Sequence, residues 1–368
     1  MNLLENKTYL SNLKKCIQET SGILQGFKEK NIMVTGANGL ICSAVVDLLV
    51  MANQELDLNI TIYALGRSVE RLEERFSTAS AEMCVVPVLY DATKEFSFDK
   101  NVDYIIHGAS HASPDLYTEK PVETMQGNIY GLTTLLEFSK DKQVERLLYV
   151  SSSEVYGDFS TDKPLLETNY GYVDILNPRS SYPMGKRAAE TLCVSYLKEY
   201  GVESIIVRPG HIYGPSAKRE DKRVSSAFVL NALKGEKIIM KSTGSQIRSY
   251  TYSLDCATAI LQALLKGNPG EAYNISNPRS IISIAEMAKM IAEIGNVELE
   301  FDLPTEVEAK LFNPMNNSSL NSEKLCSLGW KAIFDAKDGF KYTMDILAET
   351  IQSVSYTHLR AHETGRNL

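Results

Sequence analysis

The chain has 368 residues, 44% of them hydrophobic, enough to bury a large core and to divide into two domains. Its 38 basic and 46 acidic side chains leave a net charge of −8, which argues against a nucleic-acid-binding surface. No apolar run approaches membrane-spanning length, nothing at the start reads as a signal peptide, and the six cysteines form no Cys-x-x-Cys pair, so a reduced, cytoplasmic protein with neither metal site nor disulfide framework is expected.

In chain order, residues 1–30 read as a helical lead-in, weakly amphipathic, with Leu3, Leu10, Leu13 and Ile17 toward the core. Residues 31–212 alternate apolar strands (32–34, 60–64, 85–89, 104–107 and 146–150) with helical stretches, and "ESIIVRPG" adds a sixth strand. That alternation predicts an α/β fold with a Rossmann-type doubly wound parallel sheet. Beyond Tyr213 the pattern turns irregular, and residues 213–350 are expected to form mainly a smaller C-terminal α/β substrate-binding domain, a lid.

Three local patterns carry chemistry. "NIMVTGANGLICSAVVDLLV" places Gly36 and Gly39 between an apolar strand and a periodic helix, where a pyrophosphate can approach backbone amides and the positive helix end. Cys42 stands where such a fingerprint has its third glycine, a position for close helix–strand packing. The second strand ends in Ala64, Leu65 and Gly66 with no acid for a ribose, and Arg67 follows; it either reads a 2′-phosphate, stacks on adenine, or simply opens the next helix in solvent. NADP therefore stands beside NAD as a candidate cofactor. Asp91, in "VLYDAT", either accepts from an adenine amine or caps a turn. In "SSYPMGKRAAETL", the spacing of Tyr182 and Lys186 stacks them on one helix face. An ammonium there favours the phenolate and makes Tyr182 a usable general base.

Together with "HGASHASP", "GNIYG", "VSSSEVYGD", "RPGHIYGP" and "TGSQIRSYTYSLD", these motifs resemble the extended short-chain dehydrogenase/reductase family of nucleotide-sugar epimerases, dehydratases and decarboxylases. The likeness runs from about Lys30 to Ile346, and the stretch from "SEVYGD" through "NPRSSYPMGKRAAETL" is most similar to UDP-glucuronate decarboxylases. The resemblance implies a nucleotide-diphosphate sugar as partner, a bound NAD (or NADP) that transiently oxidises C4, and commonly a homodimer. It implies cofactor contacts at Gly36, Asn38, Gly39, Leu40, Ile41, Arg67, Asp91, Ala92, Ala109, Ser110 and Asn128, besides Tyr182 and Lys186. Ser152 matches the hydroxyl residue on the C4 oxygen, Tyr182 the base, and Lys186 the residue that tunes the base and holds the ribose.

Glu154 bears on which reaction follows. Family dehydratases carry an adjacent Asp-Glu pair, simple 4-epimerases usually lack the glutamate, and decarboxylases have Ser-Glu, as Ser153-Glu154 does here. Decarboxylation, 4,6-dehydration and 4-epimerisation all stay open, as do a surface role for Glu154 and an idle dinucleotide-binding scaffold. On an extended strand end, Ser152 and Glu154 would share one face. His211, Arg223 and Arg248 match substrate-side positions, although His211 replaces the usual asparagine and no arginine occurs near Asn316–Ser318 where the family places a late one. Residues 354–368 stand apart: "VSYTHLRAHET" reads as one frame of a transposase sequencing adaptor, so the tail and its His358 and His362 are expected to lie outside the native fold.

Overall fold

The computed structural model describes residues 2–77, 84–110, 112, 114–218, 221–303 and 316–364. At its centre lies a seven-stranded sheet of β1 (Asn31–Thr35), β2 (Thr61–Gly66), β3 (Val85–Leu89), β4 (Tyr104–His107), β5 (Arg146–Val150), β6 (Ser204–Pro209) and β10 (Ala272–Ile275). The order β10-β6-β5-β4-β1-β2-β3, with every pair parallel, makes it doubly wound. Alternate residues of each strand feed two cores. Ile32, Val34, Ile62, Ala64 and Ile106 face α1 (Lys7–Leu24), α2 (Leu40–Leu56) and α8 (Ser253–Lys266). Met33, Leu65, Ile105, Leu147 and Tyr149 face α5 (Pro121–Lys142) and α6 (Ser181–Tyr200).

The strands fall where the apolar runs predict, with one shift. Ile60 is left out of β2 because the Asn53 side chain binds both its backbone groups, accepting from its N–H at 2.8 Å and donating to its carbonyl at 3.2 Å. The lead-in is a helix whose N-cap Asn6 accepts from the Tyr9 N–H, and Leu3, Leu13 and Ile17 are buried while Leu10 is partly so. Tyr9 donates to the buried Asp47 at 2.8 Å, and Arg75 pairs with the same carboxylate at 2.5 Å, so α1 is clamped onto α2.

Beyond β6 the chain builds a second region. β7 (His211–Tyr213), β9 (Ile247–Tyr252) and β11 (Ile281–Ser283) form a three-stranded sheet, and β8 (Ile238–Met240) pairs with β12 (Leu299–Phe301). Helices α7 (Val224–Leu233), α9 (Ile284–Gly295) and α11 (Ala336–Thr364) complete it. One placement differs from the sequence expectation for residues 213–350. The helix α8 covers the main sheet and β10 joins it in register with β6, Tyr273 opposite Val207, so the chain crosses back once before finishing the lid. The backbone of α11 stays helical through residues 354–364, the stretch read as foreign. Among the described residues no helix is long and apolar enough to cross a membrane.

Candidate active site

The turn after β1 is shaped by glycine. Gly36 has φ +67°, and a Cβ there would meet the Ala109 amide nitrogen at 2.9 Å. Gly39 caps α2 without a side-chain hydrogen bond, leaving the first-turn amides around Leu40 and Ile41 for an anion. Cys42 lies buried in the first turn of α2, and the space it needs comes from across the turn. A Cβ on Gly108, just past the end of β4, would lie 2.3 Å from the Cys42 sulfur. The Asn38 side-chain oxygen is buried with no protein partner. A bare helix end and a cradle that a Cβ would fill fit a dinucleotide pyrophosphate, and the orphaned amide oxygen can accept from a ribose hydroxyl of the same cofactor.

Further residues frame this cradle. The Ala109 N–H donates to the Thr35 hydroxyl at 3.2 Å, and that hydroxyl lies 2.7 Å from His107 Nδ1. Burial, aided by Lys186, holds His107 down at about 3, so the ring is neutral and shares one hydrogen bond with the threonine hydroxyl. Asn128 donates to the Thr124 carbonyl and accepts from Ser110 at 3.0 Å and from Tyr149 at 3.2 Å. It therefore organises the wall of the cradle through three hydrogen bonds. Asp91 accepts from the Thr93 N–H and hydroxyl at 3.0 and 2.8 Å, the turn-capping alternative, and these bonds hold its carboxyl low, with Lys94 and Arg67 adding to the effect. Ala92 lies against Gly131 of α5, and Arg67 is exposed beyond β2.

His107 gives a stability prediction. An unfolded histidine titrates near ~6.5, so below that pH the unfolded state binds a proton that the folded state refuses until about 3. Stability from this residue is full above the unfolded value and is lost as pH falls, by about 2 kcal/mol at about pH 5. His107→Asn is expected to flatten the fall in melting temperature between about pH 7 and pH 5, measured against wild type so that other groups cancel.

At the end of β5, Ser152 caps a single 3-10 turn, Ser153–Tyr156, and accepts from the Glu154 N–H at 3.2 Å. Glu154 thus sits on a turn and not on an extended strand end, which corrects the face-sharing argument; the turn still projects it into the cavity described below. Because Ser152 accepts from Glu154, its own proton is free for Tyr182, with which it hydrogen-bonds. Tyr182 is nearly buried, and in this structure burial raises its phenol well above its ordinary value, with Glu154 and Tyr117 adding and Ser152 and Arg223 opposing. This reverses the direction expected from Lys186 alone: the lysine nitrogen lies 5.7 Å from the Tyr182 ring centre and is spent on the Val150 carbonyl at 2.8 Å and on the Tyr149 ring at 4.6 Å. Lys186 is brought down to about 7 by burial, against Glu190 one turn on.

A cavity of about 330 Å³ opens beside this pair, lined by Ser153, Glu154, Arg179, His211, Arg248 and Ser318 among others. The lid strands bring the last three together. Arg248 lies on β9, His211 starts β7 opposite Tyr250, and Ser318 donates its N–H to the Ile247 carbonyl at 3.1 Å. Burial, with Arg248 and Arg223 nearby, lowers His211 to about 4, so it meets the cavity uncharged, with Nδ1 unpartnered. Arg223 grips Asp221 at 2.5 Å and the Ile212 carbonyl at 2.9 Å, which turns its guanidinium toward its own loop. Among the described residues no cluster of His, Cys, Asp and Glu could hold a metal ion.

Sequence reasoning missed two supports. Glu190 accepts from Ser151 at 2.6 Å and from Arg208 at 2.6 and 2.9 Å, and Arg208 donates on to the Tyr156 hydroxyl at 3.1 Å, a buried network that locks the serine turn to α6 and β6. Its position four residues after Lys186 was the available signal. The other is Tyr117, in α4 (Pro114–Glu119), stacked on Tyr182 with ring centres 5.1 Å apart; no local spacing announces it.

Fold and site together define a dinucleotide-binding α/β enzyme architecture with a Ser–Tyr–Lys cluster. Residues 32–276 match the model of the NAD dependent epimerase/dehydratase family, and the chain belongs to that family. It is similar to UDP-glucuronic acid decarboxylase 1 of Xenopus tropicalis, 30% identical over 88% of this chain and 73% of that protein. It is also similar to UDP-glucuronic acid decarboxylase 3 of Arabidopsis thaliana, 32% identical over 84% of this chain and 86% of that one. Among solved structures, the Bordetella bronchiseptica enzyme WbmF in complex with NAD+ shares the fold, with a TM-score of 0.69 at 22% identity over 92% of this chain and 98% of that one.

Proposed function

We propose that this chain is a nucleotide-sugar enzyme that takes a UDP-hexuronate through C4 oxidation, loss of the C5 carboxyl as carbon dioxide, and reduction of the ketone. The observation that carries this reading is the shared cavity: a carboxylate, Glu154, and a planar guanidinium, Arg248, face the space beside the Ser152–Tyr182 pair. A guanidinium binds a carboxylate or a diphosphate through two parallel hydrogen bonds, and a hexuronate joined to UDP offers both. The decarboxylase names of the relatives at 30–32% identity support the same choice.

In this reading Gly36, Asn38, Gly39, Leu40 and Ile41 hold the pyrophosphate of NAD, while Asp91, Ala92, Ala109, Ser110 and Asn128 border the rest of the cofactor and Lys186 holds the nicotinamide ribose. Bound there, the dinucleotide supplies a reversible hydride acceptor for C4. As the phenolate, Tyr182 takes the C4 hydroxyl proton, and Ser152, with its proton directed at that oxygen, keeps it in line. A ketone at C4 makes the C5 carboxylate part of a β-keto acid. Arg248 orients that carboxylate, Glu154 manages the proton at the neighbouring C5 region, and His211 reaches a sugar or phosphate oxygen as an uncharged partner. Arg223 serves the diphosphate once it leaves Asp221, and Arg67 contacts the adenine end.

The Ser153-Glu154 pair lacks the acid of a dehydratase, and a dinucleotide scaffold has no use for a placed base. Incubation with a panel of nucleotide sugars, reading product masses and carbon dioxide, tests the proposal; a product that keeps every carbon transfers the chain to dehydration or epimerisation. We place the protein in the cytoplasm, where buried free thiols such as Cys16, Cys193 and Cys256 stay reduced. We also read α5 and α6 as a dimer face, since Tyr130, Val194 and Tyr200 are exposed on them. Light scattering is expected to give twice the chain mass at micromolar concentration, and a monomer mass rejects the dimer.

A further inference from the structure

We propose that Tyr117 is a positioning residue for Tyr182, holding the ring of the base in one orientation and keeping water from one of its faces. This rests on the reading of Tyr182 as the base, and it extends that reading to a residue from a different helix.

The two rings are stacked, 5.1 Å between centres and 16° between planes, and Tyr117 is only 3% exposed. The Arg179 guanidinium lies over the Tyr117 ring at 5.5 Å. Lys186 lies over the Tyr182 ring at 5.7 Å, so each ring of the pair has a basic side chain beside it. The Ser181 hydroxyl donates to the Tyr117 carbonyl at 3.4 Å, tying α4 to the residue that precedes Tyr182.

A tyrosine on a helix has two comfortable χ1 wells, and the one that aims the phenol at Ser152 must be kept. A ring lying flat against Tyr182 resists the sideways swing to the other well, because the swing would break the stack. Burial is also the largest influence on the Tyr182 phenol. The groups around that phenol are Ser152 and Glu154 from the serine turn, Tyr117 from α4, Arg223 before α7, and Lys186 on its own helix. Of these, Glu154 and Tyr117 raise its pKa, and Ser152 and Arg223 lower it. Removing the Tyr117 ring admits water to one face of Tyr182 and relieves the burial that raises its phenol, so Tyr182 should ionise at lower pH while working less well.

The test uses Tyr117→Phe, Tyr117→Leu and Tyr117→Ala in the full chain. Tyr182 ionisation is read as the difference in phenolate absorbance between each protein and its Tyr182→Phe counterpart, a measurement that needs no turnover. Tyr117→Leu and Tyr117→Ala are expected to lower the Tyr182 ionisation pH by about one unit. Their kcat at saturating substrate should fall about two- to tenfold, in line with the worth of an aromatic pair. Tyr117→Phe, which keeps the stack and loses only the hydroxyl, should keep wild-type kcat and shift the ionisation less than either of the other two. Unchanged ionisation in both Tyr117→Leu and Tyr117→Ala, with NAD affinity intact, overturns the proposal, as does equal damage from Tyr117→Phe. Should Tyr117→Ala fail to fold, Tyr117→Leu decides, since it keeps apolar volume without the ring. Turnover that survives Tyr182→Phe would sink the parent reading instead, and the ionisation shift would still report on the stack.

Discussion

Tyr182→Phe is expected to lower turnover by about 100-fold or more, the usual worth of a placed acid–base group, with NAD affinity changed less than about threefold. The substitution removes one oxygen and little else. The ring, its stack on Tyr117 and the Lys186 bond to Val150 all remain, so the cradle around Gly36 keeps its shape. Ser152 loses its hydrogen-bond partner but still caps its turn through the Glu154 N–H. Turnover and calorimetric NAD titration on the same preparation check both halves. Retention of more than about a tenth of wild-type turnover would mean that another group takes the proton.

Glu154→Gln should fail differently. Glu154 faces the cavity with Arg248 and raises the pKa of Tyr182 without bonding to it, so removing its charge should leave the C4 step open. Carbon dioxide release from UDP-glucuronate is expected to drop by about 100-fold, the lower range for a lost acid–base group, while reduced cofactor or a 4-keto sugar accumulates. Tyr182→Phe should show neither product. Full carbon dioxide release from Glu154→Gln would strip the residue of its assigned part.

Much of the sheet was legible because parallel strands buried on both faces leave continuous apolar runs, as in the stretches around Ile105 and Leu147. The seventh strand was not. Tyr273 and Ile275 sit, with α8, inside a region whose remainder builds the lid, and nothing local marks a strand that pairs with β6 from a distance of more than sixty residues. The cradle and the Tyr182–Lys186 pair were legible because helix periodicity and glycine need fix them locally. The electrostatic sign at Tyr182 was not, since burial is a property of the folded neighbourhood and it outweighed the lysine. For the same reason Glu154 could be chosen from the sequence while its backbone setting, a capped turn, was misjudged.

The close approach of Cys42 to Gly108 has a consequence for engineering and for oxidative stress. Volume is shared between the two positions, so Gly108→Ala should be intolerable in this chain yet acceptable beside Cys42→Gly, a pair whose effects do not add. The same enclosure pushes the Cys42 thiol up to about 12, overriding the pull of Lys186. The thiolate is the nucleophile that reacts with peroxide and alkylating agents, and this site scarcely forms it. A sulfur placed against the cofactor turn is thereby made chemically inert, and the enzyme can carry it there without becoming a redox sensor.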